Sequence, residues 1–102
     1  MKVKIADDSV EQFLFSLEKK TLVKTLRTVD LLETFGEHLI MPHAKKIKDG
    51  IFELRVRGEQ EVRIFYIFHK RTAVLLHGFV KKGSRIPLRE LRVAQKKRLT
   101  LI

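Results

Sequence analysis

Apolar residues recur along this chain at two different spacings, and the spacings predict the order of helices and strands. Lys2 to Ile5 alternate between polar and apolar side chains, which favours a short strand at the edge of a sheet. Asp7, Asp8 and Ser9 then supply helix-capping side chains, and Ser9 with Gln12 has the spacing of a capping box. A first amphipathic helix is predicted from the apolar residues that follow at i, i+3, i+4 and i+7, namely Val10, Phe13, Leu14 and Leu17.

A second amphipathic helix is predicted to begin at Thr21, which can cap it, and to end at Gly36. Its apolar stripe is expected to belong to the core and consists of Leu22, Leu26, Val29, Leu32 and Phe35. The periodicity fades from Glu37 to Gly50, so this segment, which contains Pro42, is predicted to be a linker.

Three strand-like segments follow, at Ile51–Arg57, Val62–Phe68 and Thr72–Lys81. The segments between them are short enough for antiparallel hairpins. Pro87 fits the first turn of a last helix that runs to about Leu99. Residues 1–102 are therefore predicted to form one α+β domain, in which two N-terminal helices pack on a small antiparallel sheet and a C-terminal helix follows.

Side-chain alternation gives the sheet two faces of different character. The even positions are almost entirely apolar and are expected to face the helical hairpin: Phe52, Leu54, Val56, Val62, Ile64, Tyr66, Phe68, Val74, Leu76 and Val80. The odd positions mix cations with aromatic and aliphatic residues: Glu53, Arg55, Arg57, Arg63, Phe65, Ile67, Leu75, His77, Phe79 and Lys81. This second set, the opposite face, is the candidate functional surface. Phe65 and Ile67 have an alternative interpretation as core residues under the last helix.

Composition narrows the function classes. The 102 residues contain no cysteine, which excludes disulfides, thiolate metal sites and a cysteine nucleophile and fits a reducing compartment. The N-terminal segment lacks the apolar stretch of a signal peptide and is acidic where a transit peptide would be basic. No apolar run approaches the roughly 18 residues that cross a bilayer. We therefore expect a soluble, cytoplasmic protein without a membrane partner.

Positive charge is concentrated in the second half of the chain. Residues 1–50 hold 9 Lys/Arg and 8 Asp/Glu, whereas residues 51–102 hold 13 Lys/Arg and 4 Asp/Glu, and the whole chain has a net charge of +10. This asymmetry indicates a polyanionic partner. RNA, DNA, an acidic protein and an anionic lipid surface all satisfy it, as does a cationic face that is merely solvated.

The opposite face has the residue types of a single-strand RNA site. Arg55, Arg57 and Arg63 are expected to project from neighbouring strands, and guanidinium groups bind phosphate oxygens in bidentate fashion. Aromatic rings such as Phe79 can stack on bases beside them. The alternative is that an arginine forms an ordinary ion pair with a nearby glutamate, and the three within reach are Glu53, Glu59 and Glu61.

RNA cleavage without a metal needs cations around the phosphate and a group that accepts the 2′-hydroxyl proton. Arg63, Arg55 and Lys82 can stabilise the developing charge. The candidates for acid or base are His77, Tyr66, Glu53 and Glu90, although Tyr66 has the parity of the buried face. His38 and His43 lack companion carboxylates and are not predicted to bind a metal.

The stretch from Lys45 to Ala94 resembles the RelE/ParE toxin superfamily, and most of all its phage-derived, HigB-like branch. Three segments carry the resemblance: KKIKDGIFELRVR, VRIFYIF and VLLHGFVKKGSRIPLRELRVA. They contain the patterns K-K-x-x-x-G-x-x-E-L-R, R-x-x-Y and L-H-G-F-x-K-K followed by P-x-x-E. The helical hairpin that precedes them agrees with the branch in order and length.

The resemblance implies a RelE-like fold of the type β-α-α-β-β-β-α and a toxin of a type II toxin–antitoxin system. It further implies a ribosome-dependent mRNA endonuclease without a cofactor or metal, neutralised by a HigA-like helix-turn-helix antitoxin through which alone it contacts operator DNA. By motif position, Arg63, Arg55 and Lys82 are catalytic candidates, and His77 joins them because an imidazole can transfer protons near neutral pH. The RNA-binding candidates are Arg57, Lys81, Phe79, Arg85 and Lys46, and the possible acids or bases are Tyr66 and Glu90.

The chain departs from the superfamily pattern where the best-known RelE members carry strand lysines, since Ile51 and Glu53 occupy those positions. The proton-accepting residue is therefore left open. A ParE-like gyrase inhibitor and a non-catalytic RNA- or ribosome-binding protein remain alternative functions. If the chain is a nuclease, replacement of Arg63 by alanine is expected to abolish cleavage with little loss of fold.

Overall fold

The computed structural model describes residues 1–101, which form a sheet with helices on both of its faces. Five strands and three α-helices follow one another along the chain: β1 (Lys2–Ile5), α1 (Asp8–Phe15), α2 (Lys19–Phe35), β2 (Ala44–Lys48), β3 (Ile51–Val56), β4 (Val62–His69), β5 (Thr72–Val80) and α3 (Leu88–Leu101). A short 3-10 turn, Gly36–His38, follows α2. The predicted α+β class is confirmed. None of the helices in residues 1–101 has the length and apolarity to cross a membrane.

The sheet has the strand order β1-β5-β4-β3-β2 and is mixed rather than purely antiparallel. β1 pairs with β5 in parallel, whereas the other three pairings are antiparallel. The prediction of an antiparallel sheet was wrong at this edge, because alternation within a strand does not reveal the direction of its partner. The linker prediction for Glu37–Gly50 was also wrong, since β2 lies within it. β2 is an edge strand with three lysines and only two apolar residues, so its alternation is weak.

The helix boundaries depend on local capping. Among the three predicted capping residues, Asp7 caps α1: its carboxylate accepts a hydrogen bond from the Ser9 N–H at 3.0 Å, in place of a capping box from Ser9. The Ser9 hydroxyl, with a smaller contribution from Lys97 of α3, holds the pKa of Asp7 below its ordinary value despite partial burial. α2 begins at Lys19, two residues before the predicted cap, and ends as predicted at Gly36, whose φ of 53° favours glycine.

α2 faces the sheet with three threonines in addition to part of the predicted apolar stripe, since Leu22, Val29 and Leu32 belong to the core but Leu26 and Phe35 are exposed. Its buried residues are Thr21, Thr25, Thr28 and Leu32, while Leu26 is 45% exposed. The Thr25 and Thr28 hydroxyls donate to the backbone carbonyls four residues earlier, at 2.8 and 3.1 Å. These hydroxyls are satisfied within the helix, so they can be buried without a desolvation penalty from unmade hydrogen bonds.

Two hydrophobic cores lie on the two faces of the sheet. The first lies under α1 and α2 and includes Leu54, Val56, Val62, Ile64 and Tyr66, as the even-position pattern predicted. The second lies under α3, where Leu91 and Ala94 cover the other face. Phe65 and Ile67 belong to this second core, which confirms their interpretation as core residues.

A bulge in β5 changes the parity of that strand. Phe65 pairs with His77 but Tyr66 pairs with Leu75, so Leu76 is an extra residue in the ladder. The predicted faces of Val74 and Leu76 were consequently wrong, because both side chains pack under α3. Leu75 lies instead in the core under α1 and α2, which we call the hairpin core after the helical hairpin. His77 and Phe79 stay on the α3 side.

Gly78 of β5 lies on the sheet face that packs against α1 and α2, and α1 approaches the strand backbone closely there. A Cβ atom at this position would lie 2.4 Å from Cδ2 of Phe13. We predict that Gly78→Ala destabilises the fold by about 1–3 kcal/mol, because the aromatic ring must shift within a packed core. Urea denaturation measures this loss. Gly83→Ala is the control, since a Cβ there meets nothing within 4 Å, and equal loss in both variants would contradict the close approach.

Candidate functional site

The candidate site lies on the α3 side of the sheet, at the end where β3 turns into β4. Strand register places Arg55 of β3 directly opposite Arg63 of β4, and Arg63 opposite Phe79 of β5. In the adjacent row, Glu53 lies opposite Phe65, and Phe65 opposite His77. The prediction that these side chains share one face is therefore confirmed by the register.

Four charged side chains form what we call the arginine cluster: Glu53, Arg55, Glu61 and Arg63. Oε1 of Glu53 lies 3.6 Å from Nε of Arg55 and 3.9 Å from Nε of Arg63. Oε2 of Glu61 lies 3.5 Å from Nη1 of Arg63. The question left open for Arg55 is thus answered in favour of ion pairing with Glu53, and Arg63 is paired in addition.

Burial separates the members of the arginine cluster. Arg63 is 3% exposed and Glu53 is 2% exposed, so these two charges are held inside the protein. Arg63 also donates from Nη1 to the backbone carbonyl of Val62 at 2.9 Å. The Glu61 side chain is 43% exposed. Glu53 was a candidate base, but its carboxylate is the buried counterion of two guanidinium groups, which favours a positioning function.

Next to the arginine cluster, the imidazole of His77 makes a short contact with α3. Nε2 of His77 lies 2.8 Å from Oε1 of Glu90, in the first turn of the helix. The ring of His77 also stacks on that of Phe79, with centroids 6.1 Å apart. One ring nitrogen is therefore engaged by a carboxylate that fixes the imidazole, the arrangement that orients a histidine for proton transfer.

The loop after β5 brings further cations to the same end of the sheet. Lys82 and Arg85 are exposed, and Lys81 is half-buried. The backbone N–H of Lys81 donates to the carbonyl of Glu61 at 2.7 Å, so this loop is attached to the turn that carries Glu61. Arg57, just after β3, is exposed as well. These four cations can contact a polyanion without rearrangement of the fold.

Lys46 was predicted to contact RNA together with Arg63, but the register places it elsewhere. Lys46 pairs with Phe52, which packs in the core under α1 and α2, whereas Lys45 pairs with Glu53. Directly paired residues share a face, so Lys45 and not Lys46 lies on the face of the arginine cluster. The sequence could not distinguish the two adjacent lysines because it did not reveal β2.

Phe79 and Tyr66 occupy core positions rather than the surface positions that RNA contact requires. Phe79 is 5% exposed and packs on Phe65, with ring centroids 5.3 Å apart, so it cannot offer a face for base stacking. Tyr66 is 1% exposed and lies in the hairpin core, where it stacks on Phe52 at 5.5 Å. Burial raises the pKa of Tyr66 to about 12, which does not suit a base at neutral pH.

An open cleft at the other end of the sheet is lined by Met1, Phe35, His38 and His69, among others, and it contains none of the predicted site residues. Within residues 1–101, no three His, Asp or Glu side chains come together in a way that would hold a metal ion.

The raised pKa of Tyr66 gives a direct test of the hairpin core. The chain has one tyrosine and no tryptophan, so tyrosinate absorbance reports this residue alone. We predict a titration midpoint near pH 12 in the folded protein and near 10 in concentrated guanidinium chloride. The folded pKa exceeds the unfolded one, so the stabilisation from the neutral phenol is complete below pH 10 and is lost as the pH rises to 12. A midpoint near 10 in the folded protein would contradict the buried position.

Because Arg63 is buried in an ion-pair network, its replacement is expected to lower the stability of the fold as well as any activity. Arg63→Met leaves Glu53 buried with only Arg55 nearby, and removal of one partner of a buried ion pair costs about 3–5 kcal/mol. We predict a loss of stability at the lower end of that range in urea denaturation, because Arg55 remains. The expectation that loss of Arg63 spares the fold is thus revised.

Arg57→Met is the matched control, since this exposed side chain should change the free energy of unfolding by less than about 0.5 kcal/mol. An Arg63→Met variant as stable as the Arg57 control would refute the buried network.

Comparison with known proteins agrees with the family that the motifs indicate. A family model described as "Phage derived protein Gp49-like" matches residues 12–99, a span that contains every candidate site residue. Over 80 residues, the chain is 35% identical to the protein named "Putative toxin HigB3" from Mycobacterium tuberculosis (strain ATCC 25618 / H37Rv), with 74% of this chain and 69% of that protein covered. The chain therefore belongs to the phage-derived Gp49-like family of HigB-like toxins, within the RelE/ParE superfamily.

Proposed function

We propose that this toxin is a ribosome-dependent mRNA endonuclease that inhibits translation. The observation that carries the proposal is the contact of 2.8 Å between His77 and Glu90 on the face of the sheet that bears the arginine cluster. The loop after β5, which we call the basic loop because it contains Lys81, Lys82 and Arg85, follows the strand of His77. A histidine fixed by a carboxylate, next to guanidinium groups, is the set of groups that cleaves RNA through its own 2′-hydroxyl.

In the proposed reaction, the ribose 2′-oxygen attacks the adjacent phosphorus while the bond from phosphorus to the 5′-oxygen breaks. His77 accepts the 2′-hydroxyl proton on Nδ1, because Nε2 is engaged by Glu90. The departing 5′-oxygen takes up a proton from solvent at this exposed end of the sheet. The products are a 2′,3′-cyclic phosphate and a 5′-hydroxyl, so neither an oxidant nor a hydrolytic water is consumed.

The remaining residues bind and stabilise rather than transfer protons. Arg63 and Arg55 are assigned to the negative charge that develops on the phosphorane, since guanidinium groups remain protonated throughout. Lys82, Arg85 and Arg57 are exposed and suit contacts with flanking phosphates, with the half-buried Lys81 beside them. Glu90 orients His77 and is a positioning residue rather than the base.

The partners follow from charge and family. A net charge of +10 supports binding to ribosomal RNA and messenger RNA, an interaction that should weaken steeply with salt. A HigA-like helix-turn-helix antitoxin is the proposed inhibitor, and acidic residues on it would complement the exposed cations of the basic loop. Contact with operator DNA is assigned to the antitoxin.

A purified translation system tests the activity and the function of His77. We predict that the wild-type protein cleaves ribosome-bound mRNA and that His77→Ala lowers the cleavage rate about 100-fold or more, the contribution expected of a general acid or base. Primer extension on the message measures the cut. His38→Ala is the matched control, because His38 is exposed beside the cleft at the other end of the sheet. This variant should cleave at the wild-type rate.

The alternative functions predict different outcomes in the cleavage assay and in two further assays, of DNA supercoiling and of ribosome binding. Intact message together with inhibited DNA supercoiling would favour a gyrase inhibitor and refute the nuclease. Salt-sensitive binding to ribosomes with intact message would indicate a non-catalytic binding protein. Cleavage that persists undiminished in His77→Ala would keep the nuclease but remove His77 from the reaction.

A further inference from the structure

The arginine cluster contains two carboxylates that differ in how firmly they are held. Glu53 lies on β3 with its side chain 3% exposed, close to both guanidinium groups. Glu61 lies just before β4 with its side chain 43% exposed and contacts only Arg63, at 3.5 Å. Glu53 is enclosed in the protein beside both guanidinium groups, whereas a side-chain rotation can carry the half-exposed Glu61 carboxylate into solvent.

Charge counting shows what Glu61 does while it stays in place. Arg55 and Arg63 bring two positive charges directly opposite each other, and Glu53 neutralises one of them. The second is neutralised by Glu61, so the cluster as a whole is neutral. If Glu61 turns away, a buried cluster with one excess positive charge remains, and an external anion can restore neutrality one for one.

The contact geometry also favours exchange. The three ion-pair distances of 3.5–3.9 Å are longer than a charge-assisted hydrogen bond of about 2.7–2.9 Å. Oε2 of Glu61 and Nε of Arg63 are both buried and make no hydrogen bond within residues 1–101. Glu61 is therefore held by charge alone, and a phosphate oxygen that reaches the guanidinium at hydrogen-bond distance would bind more strongly.

We propose that Glu61 occupies, in the free protein, the position that a backbone phosphate of RNA takes on Arg63 when RNA binds. Glu61 is thus an internal competitor that RNA must displace, while Glu53 stays as the fixed counterion. This inference rests on the proposed function for its biological substrate, but the exchange itself concerns anion binding and does not require cleavage. The backbone N–H of Lys81 donates to the carbonyl of Glu61, so the loop after β5 is attached to the turn that carries this side chain.

Two glutamates in the same turn provide a matched pair of variants. Glu61→Gln removes the internal competitor, and Glu59→Gln removes the same charge from an exposed residue that makes no ion pair in the described part of the chain. We expect Glu61→Gln to tighten binding of a fluorescently labelled, single-stranded RNA decamer about five-fold, and Glu59→Gln to change it less than about two-fold. Fluorescence anisotropy at fixed ionic strength measures both affinities, and urea denaturation confirms that both variants remain folded.

Inorganic phosphate and a labelled hexaglutamate peptide complete the experiment. Tighter binding of RNA together with stronger competition by phosphate supports an oxyanion position on Arg63. Equal gains in both variants would show an effect of net charge alone and would overturn the proposal. A gain for the acidic peptide without a gain for RNA would also overturn it, because the position would then suit a protein carboxylate. If wild-type protein leaves mRNA intact while Glu61→Gln binds RNA more tightly, the nuclease proposal fails and the exchange stands.

Discussion

The pairing of Arg55 with Arg63 across adjacent strands is the constraint on which the rest of the site depends. Two like charges directly opposite each other destabilise a sheet unless a counterion lies between them. Glu53 supplies that counterion from inside the protein, two residues before Arg55 and on the same face. The price of this arrangement is a buried charge network in a small domain, which natural proteins retain where charge is needed for binding or chemistry.

The helices on the two faces of the sheet serve different purposes in this arrangement. α1 and α2 supply a core on the far side, with satisfied threonine hydroxyls and the aromatic stack around Tyr66. α3 covers only part of the other face and contributes Glu90 to the site at its first turn. The face that bears the arginines is therefore supported from behind by packing and bordered by a helix that fixes one histidine.

Strand periodicity was sufficient to predict the two-faced sheet and to bring Arg55, Arg63 and His77 together, because β3 and β4 alternate without interruption. It failed where the local pattern is interrupted. The bulge in β5 inverted the positions of Val74 to Leu76, and the lysine-rich β2 carried too little apolar signal to be recognised. Burial was the second property that the sequence did not predict. Strand alternation shows that Glu53 and Arg63 can meet, but not that each of them is less than 5% exposed. The proposed exchange at Glu61 rests on that burial and on the 3.5 Å distance between Oε2 of Glu61 and Nη1 of Arg63, and a sequence shows neither.

The parallel pairing of β1 with β5 has a consequence for when the sheet and the candidate site can be assembled during translation. Residues 2–5 are synthesised well before residues 72–75, their partners in the sheet, and Glu90 follows only in α3. A nascent chain that ends before residue 72 holds an unpaired first strand, and one that ends before residue 90 holds His77 without its carboxylate. Such long-range contacts form late, so the site is assembled only after α3 has been made. A ribosome translating this protein thus carries an incomplete site on the nascent chain until α3 has been synthesised.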